Sequence, residues 1–427
     1  MRMFIKRMER KNSQTVSKSM AVAWFVMLFA LTGSIGSRAI PVPDSKKVIA
    51  DSTAAKPFEV LPDSSNFVTV SIIISSPGKG TFYAMGHTGL RLQCPSKGLD
   101  YNYSYVTELD QGPLFNLTLM AGKMRAGFEA VAFDEYLDLY RKEGRGVKEF
   151  PLNLTLSEER ELWELMDNQM MEGINQPFDF INNNCTSRVL RSVETILQSE
   201  DIVYPKTGVL AMCSRDGVTE IMGKHPWIEF LTLTMMSALP PDEPCPLELF
   251  ICPTLWAELL PQAKIVGLDG SERPALDGEV KELLPVKWQP SPTWWTPIRT
   301  FGLMLVLVLL VTLAEWLLHW KRVPKILDVS LFVLYTLFSA YLLYAVYARL
   351  FVVSWNYMLL AFNLLPLLLW LLFRRKRWFG KIYAFYALAL VAFMIFFSFY
   401  MGRMEWAHEL LLASLLTRCV SRYFKYK

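Results

Sequence analysis

Residues 178–197, FDFINNNCTSRVLRSVETIL, place a polar run, a cysteine and an amphipathic helix in that order. Asn184 is a residue type that caps a helix, because its side-chain oxygen accepts an N–H that the first turn leaves unpaired. Cys185 then falls in the first turn, and Val189, Leu190, Val193, Ile196 and Leu197 share one face. The helix dipole favours an anion at that end and lowers a thiol pKa. Arg188 and Arg191 push the same way. A cysteine at a helix start is most often a small packing residue, but the polar run Asn182–Asn184 before it has no packing purpose.

A thiolate needs a base to take its proton. His87 lies in Ala84-Met85-Gly86-His87-Thr88-Gly89-Leu90, inside a predicted strand over Phe82–Gln93. The β-branched run Phe67–Ser75 and the alternating Asp100–Val106 predict its neighbours, and the Pro95 and Gly98 of the Cys94–Leu99 loop predict a hairpin. A further strand is expected over Val147–Leu154, then a helix to about Met171 whose Thr155 and Glu158 have capping-box spacing. This order predicts an α+β domain with a mainly antiparallel sheet. His225, before Pro226-Trp227, is the competing base in a stretch that reads as a turn. The cysteines at 94, 185, 213, 245, 252 and 419 have no zinc-quartet spacing and the chain has only 4 histidines, so neither a metal nor any other cofactor is expected. Cys245 and Cys252 are the closest pair where disulfides are permitted.

The 427 residues are 52% hydrophobic and 20% charged, and the apolar excess is concentrated at the end of the chain. Lys+Arg 44 against Asp+Glu 40 is too even a balance for a nucleic-acid binder. A basic start, the apolar run Met20 to Leu31 and the small residues up to Ala39 predict a secretory signal or anchor over 1–39. An outer domain over 40–298 and a membrane domain over 299–427 follow. Apolar segments occupy Phe301–Leu318, Ile326–Tyr347, Phe351–Phe373 and Ile382–Met401, each near the ~20 residues a spanning helix needs. A fifth, Trp406–Val420, is shorter and carries His408 and Glu409, so 4 or 5 helices are expected. The clusters after the first and third segments (Lys321, Arg322, Lys325; Arg374 to Arg377, Lys381) are cytoplasmic by the positive-inside rule, and residues 40–298 lie outside. The last cluster, Arg418 to Lys427, joins them if the fifth segment spans. Trp288, Trp294 and Trp295 precede the first segment, where aromatic rings favour the headgroup layer.

A histidine on a strand, a polar residue on the next strand and an Asn-Cys opening a helix resemble the permuted papain-like fold of lecithin:retinol acyltransferase. Gly86-His87, Tyr101-Asn102-Tyr103 and Asn183-Asn184-Cys185-Thr186-Ser187-Arg188 look more specifically like the Lnb-type lipoprotein N-acyltransferase family. Ser214-Arg215, Leu239-Pro240-Pro241-Asp242, Leu249-Phe250 with Pro253, and Trp355-Asn356 with Phe362-Asn363-Leu364-Leu365-Pro366 fit the same pattern. The resemblance implies a bacterial inner-membrane enzyme with Cys185 as nucleophile and His87 as general base. Asn102 would be the orienting residue, with Asp100, two residues earlier on the same strand face, as the alternative. Asn184 would be a cap with an oxyanion role, shared with the Cys185 N–H. A membrane phospholipid is the implied acyl donor and a diacylated lipoprotein the acceptor. Asn356 and Asn363, at membrane depth, would face substrate or bond between helices. Two other readings compete: a membrane-anchored Cys–His hydrolase of the cell wall, and a non-catalytic sensor or assembly protein.

Overall fold

A computed structural model describes residues 68–79, 83–108, 118–119, 121–179, 182–198, 200–207, 214–235, 252–291, 293–347, 356–374, 379–400 and 404–426. The leader expected over 1–39 lies outside the described residues, as do Cys213, Cys245 and the 239–242 and 249–250 stretches. The strands are β1 (Thr69–Ser75), β2 (His87–Cys94), β3 (Leu99–Thr107), β4 (Arg125–Ala132), β5 (Val147–Pro151), β6 (Gln176–Pro177), β7 (Glu200–Val203), β8 (Lys264–Gly267), β9 (Glu272–Pro274) and β10 (Lys281–Leu284). The outer-domain helices are α1 (Phe133–Glu143), α2 (Leu156–Met171), α3 (Cys185–Leu197), α4 (Ser214–Met222), α5 (Pro226–Met235) and α6 (Pro253–Leu259).

The main sheet runs β10-β5-β1-β2-β3-β4-β6 with antiparallel neighbours, and β7-β8-β9 form a smaller sheet. Side chains alternate along a strand, so β1 serves two cores. Val70, Ile72 and Ile74 join Leu90, Leu92, Phe150, Leu162, Val189 and Trp256 under α2, α3 and α6. Ile73 joins Phe133, Tyr136, Tyr140 and Val147 on the other face, under α1.

The expected antiparallel α+β architecture is present, with shifts that have local causes. The hairpin between β2 and β3 closes through Pro95–Lys97 and a left-handed Gly98. Helix α2 has the expected capping box, with Thr155 Oγ1 accepting from Glu158 N at 3.4 Å and Glu158 Oε2 accepting from Thr155 N at 2.6 Å. β2 starts at His87 and not at Phe82, because Tyr83–Met85 turn and Gly86 has φ 89°. A side chain at 86 would collide with the Ser75 carbonyl oxygen. Strand β4 and helix α1 were not expected. Arg125 and Gly127 interrupt the apolar pattern of β4, and α1 starts at Ala132 with no side-chain cap, so neither carries a sequence signal.

The membrane part comprises α7 (Pro297–Leu317), α8 (Arg322–Tyr347), α9 (Met358–Ala361), α10 (Leu365–Phe373), α11 (Gly380–Tyr400) and α12 (Trp406–Tyr426). Among the described residues, three helices are long and apolar enough to cross a membrane: α7, α8 and the Gly380–Phe399 part of α11. The other two of the expected 4 or 5 segments differ from these three, and residues 351–355 of the third lie outside the described residues. The third segment is interrupted at 362–364, where Tyr335 donates to Ala361 O (2.7 Å) and accepts from Asn363 N (3.0 Å). Tyr386 also donates to Ala361 O (2.9 Å), so the interrupted backbone keeps its hydrogen bonds without water. The fifth segment, α12, is polar at its end. It nevertheless lies along α7: Gly302 faces Leu410, Thr312 accepts from Arg418 (2.7 Å) and Trp316 donates to Ser421 (3.2 Å). At ~1.5 Å per residue it is as long as the first span. Its Arg418, Arg422 and Lys425 pair with Glu315 and Asp328, beside the first basic cluster.

Helix α5 joins the two parts without a stalk. Trp227 donates to Trp295 O (2.6 Å), Phe230 stacks on His408 (4.4 Å) and Thr234 Oγ1 meets His408 Nε2 (2.7 Å). Trp294 and Trp295 stay half exposed beside this joint. Trp288 turns back to the outer domain, donating its N–H to Gly144 O at 2.7 Å.

Candidate functional site

Asn184 has an extended backbone, and its Oδ1 accepts from Thr186 N (2.9 Å) and Ser187 N (2.8 Å). Ser187 Oγ accepts from Asn184 N (3.0 Å), which completes a capping box. The five apolar residues expected on one face of α3 are buried against the sheet. The hydroxyls of Thr88 and Thr186 meet at 2.9 Å and tie the start of α3 to β2. The Cys185 sulfur therefore sits at the end of β2, with the N–H groups of Thr88 and of Cys185 itself directed at it and the Thr186 hydroxyl 3.9 Å away. Thr88 directly follows His87.

By strand alternation Thr88 faces α3 and His87 faces the α1 side, so thiol and imidazole approach the start of β2 from its two faces. Among the described residues, no hydrogen bond joins them or reaches the imidazole ring. Catalytic hydrogen bonds often tighten only once substrate is bound. Burial, and then the nearby Arg145, lowers the His87 pKa to about 3, so the imidazole is neutral at ordinary pH. Burial also pushes the Cys185 thiol up, and the surrounding N–H groups offset this only in part. This corrects the expectation of a lowered thiol pKa. Arg188 sits over the Tyr105 ring (5.5 Å) and Arg191 donates to Asn182 O (3.2 Å), so both charges are directed away from the sulfur. The resting pair is a neutral thiol and a neutral imidazole.

The depressed histidine has a consequence for stability. Unfolded, the imidazole titrates near 6.5; folded, near 3. Between those values the unfolded chain holds the extra proton, so stability falls as pH falls, by up to about 1.4 kcal/mol per unit. Above 6.5 both states are neutral and the effect vanishes. In urea unfolding between pH 7 and pH 4, His87→Gln is expected to lose stability less steeply than the wild type. Parallel slopes would show that the imidazole is not buried in its neutral form.

The two orienting candidates differ sharply. Asp100 is held by Arg91 through Nε (2.8 Å) and Nη2 (2.6 Å), and also accepts from Gln93 (3.1 Å). Asn102 is 0% exposed and its Nδ2 donates to Ser104 Oγ (2.8 Å), while its Oδ1 has no donor among the described residues. Its amide fills the space above Gly89, where a Cβ would come within 2.6 Å. Asn102 is thus the one of the two with an uncommitted polar atom on the His87 face, although no hydrogen bond joins it to the ring.

The membrane asparagines are engaged at the α5 end and within the bundle. Asn356 is 1% exposed, donates to Thr234 O (3.0 Å) and Met235 O (3.2 Å), and caps the end of α5. Asn363 accepts from Leu365 N and donates to Leu360 O, both at 3.0 Å, at the break between α9 and α10. Both side chains make hydrogen bonds within the bundle, the second of the two roles expected for them. The His225 carbonyl accepts from Ile228 and Glu229 at the start of α5, again a structural use. Cys252 carries a free buried thiol, and its expected partner Cys245 lies outside the described residues.

Two residues near the site were not foreseen. Tyr136 is buried, its hydroxyl has no partner among the described residues, and Cys185 helps to push its pKa up after burial and Tyr140. Arg145, in Arg141-Lys142-Glu143-Gly144-Arg145-Gly146, resembles any solvated charge run, and only its burial distinguishes it.

Residues 63–205 match the Lnb N-terminal periplasmic domain, and residues 289–427 match the Lnb transmembrane domain. Comparison with curated proteins and with solved structures gives no match. The first family model takes in β1 through β7 with His87, Asn102 and Cys185, and the second takes in α7 through α12. With its antiparallel sheet followed by apolar helices, the chain is a membrane protein with a periplasmic N-terminal part and belongs to the Lnb family.

Proposed function

We propose that this protein is a lipoprotein N-acyltransferase of the bacterial inner membrane, with a permuted papain-like Cys–His site on the periplasmic side. The observation that carries this reading is the Cys185 sulfur, held at a capped helix start against the N–H next to His87. The α5 joint, which sets the outer domain directly on the bundle, supports a reading with lipid substrates.

In the first half-reaction His87 takes the thiol proton and the Cys185 sulfur attacks an ester carbonyl of a phospholipid. The carbon–oxygen bond breaks, and the leaving alkoxide takes the proton from His87, giving a lysophospholipid and a thioester. In the second, the α-amine of an S-diacylglyceryl-cysteine attacks the thioester and the carbon–sulfur bond breaks. His87 takes the amine proton and passes it to the sulfur. The oxyanion of each step would be held by the N–H groups of Cys185 and Thr88. The Thr186 and Ser187 N–H groups are engaged by Asn184, so Asn184 acts by shaping the helix start.

The test is mass spectrometry of a reporter lipoprotein's N-terminal peptide from cells lacking this protein. The expected result is loss of the amide-linked acyl chain and its return with the wild-type chain. A lipopeptide that stays triacylated without the protein, together with no transfer by the purified chain from phospholipid to diacylated lipopeptide, would sink the reading.

A further inference from the structure

We propose that Arg145 is a positioning residue for His87, fastening the end of the β1–β2 pair that presents the imidazole. The proposal rests on the reading of His87 as the general base. Arg145 is 2% exposed and lies in the loop after α1. Its Nη2 donates to Ser75 Oγ and its Nε to Ser76 O, both at 2.8 Å. Ser75 is the strand partner of His87, and its Oγ donates to His87 O at 3.4 Å.

The same guanidinium lies over the rings of Tyr83 (5.2 Å) and Tyr140 (4.5 Å). Tyr83 O accepts from Gly78 N (3.0 Å) and Gly86 N (3.1 Å), so Tyr83 closes the connection that leads into His87. Gly78 has no side chain because a Cβ there would come 2.9 Å from Arg145 Cδ. One side chain thus holds the end of β1, the connecting turn and, through Ser75, the His87 backbone.

A buried cation is costly unless well paired, and the Glu143 carboxylate is 3.3 Å away and partly exposed. A neutral side chain could hold the turn at lower cost. The positive charge has a second effect, since it adds to burial in lowering the imidazole pKa. The other ionisable groups described around this end of the sheet include Tyr83, Glu143, Tyr136, Tyr140, Cys185 and Cys252, and the Arg91–Glu149 pair lies one step further along the same face. Arg145 is the one whose charge bears on His87.

The test is the rate of Cys185 alkylation by iodoacetamide against pH, in the full chain held in lipid nanodiscs. The set is wild type, Arg145→Met, Arg145→Lys and Ser75→Ala, with His87→Gln as reference. In Arg145→Met the acid limb is expected to move to higher pH as protonation of His87 becomes easier, with the plateau falling roughly tenfold. Arg145→Lys keeps the charge and loses the fork, so its limb stays and its plateau falls. Ser75→Ala, a small change that the sheet tolerates, behaves like Arg145→Lys. A wild-type profile in Arg145→Met, or a full plateau in both Arg145→Lys and Ser75→Ala, would overturn the proposal. Alkylation needs no lipid, so absent N-acylation alongside the expected profiles would remove the reaction and leave the positioning role intact. Unchanged profiles alongside working N-acylation would remove only the role of Arg145.

Discussion

Cys185→Ala is expected to lower acyl transfer by at least about three orders of magnitude, because Cys185 is the partly exposed thiol at the helix start while the neighbouring Cys252 thiol is buried. Cys185→Ser should fare little better. The hydroxyl is far less acidic than the thiol, and the neutral imidazole of His87 is a weak base with a pKa of about 3. His87→Ala should lose roughly 10²- to 10⁴-fold, the usual contribution of a general base. The measurement is single-turnover release of lysophospholipid by the full chain, followed by mass spectrometry of the Cys185 peptide. Acyl adducts should accumulate on Cys185 when the amine acceptor is withheld. A Cys185→Ala chain that keeps more than a tenth of the wild-type rate would exclude the thioester route. Cys185 is only partly buried and Asn184 supplies the cap, so the alanine variant should fold normally.

The second large effect is expected at the far end of the bundle. Glu315 is 3% exposed and receives Arg418, Arg422 and Lys425, each at 2.9 Å. Asp328 shares Arg418 at 2.7 Å and also pairs with Arg422. Glu315→Leu would leave three cations around one remaining carboxylate, with Arg418 still enclosed. Removing one partner of a buried pair costs about 3–5 kcal/mol, since the other charge is left without compensation. Lys425→Ala, at the open edge of the network, should cost under about 1 kcal/mol. Thermal unfolding in detergent of these variants, with Glu315→Asp as partial rescue, checks the ranking. Glu315→Leu unfolding within a degree or two of wild type would show that the network does not hold α12 to α7.

Much of the outer domain could be read locally. The caps at Thr155 and Asn184 work through hydrogen bonds within three residues, and so both helix starts are visible in the sequence. The strands β1 and β3 and their hairpin partner follow from period-two patterning and turn residues for the same reason. β4 and α1 escaped because their apolar contacts are made across the sheet, leaving a segment with Arg125, Gly127 and an uncapped Ala132. At the site, Cys185 and His87 were legible as chemistry, but the environment of the thiol was not. The dipole argument sees one helix, whereas the burial that outweighs it is contributed by β2, α3 and the segments packed on them.

The amino-acid sequence by itself determined the antiparallel α+β class, the capped helix start at Cys185, the candidacy of His87, and the order of periplasmic part before membrane part. Each of these depends on neighbours a few residues apart or on composition. Only the tertiary structure showed that Asp100 is committed to an ion pair, because its partner, Arg91, comes from the adjacent strand. It also decided that Asn356 holds α5 from 122 residues away in sequence and that α12 runs beside α7. Arg145, 58 residues beyond His87, gains its meaning only when β5 brings its loop beside β1. Contacts of this kind are specified by packing across elements, which no local pattern in the chain encodes.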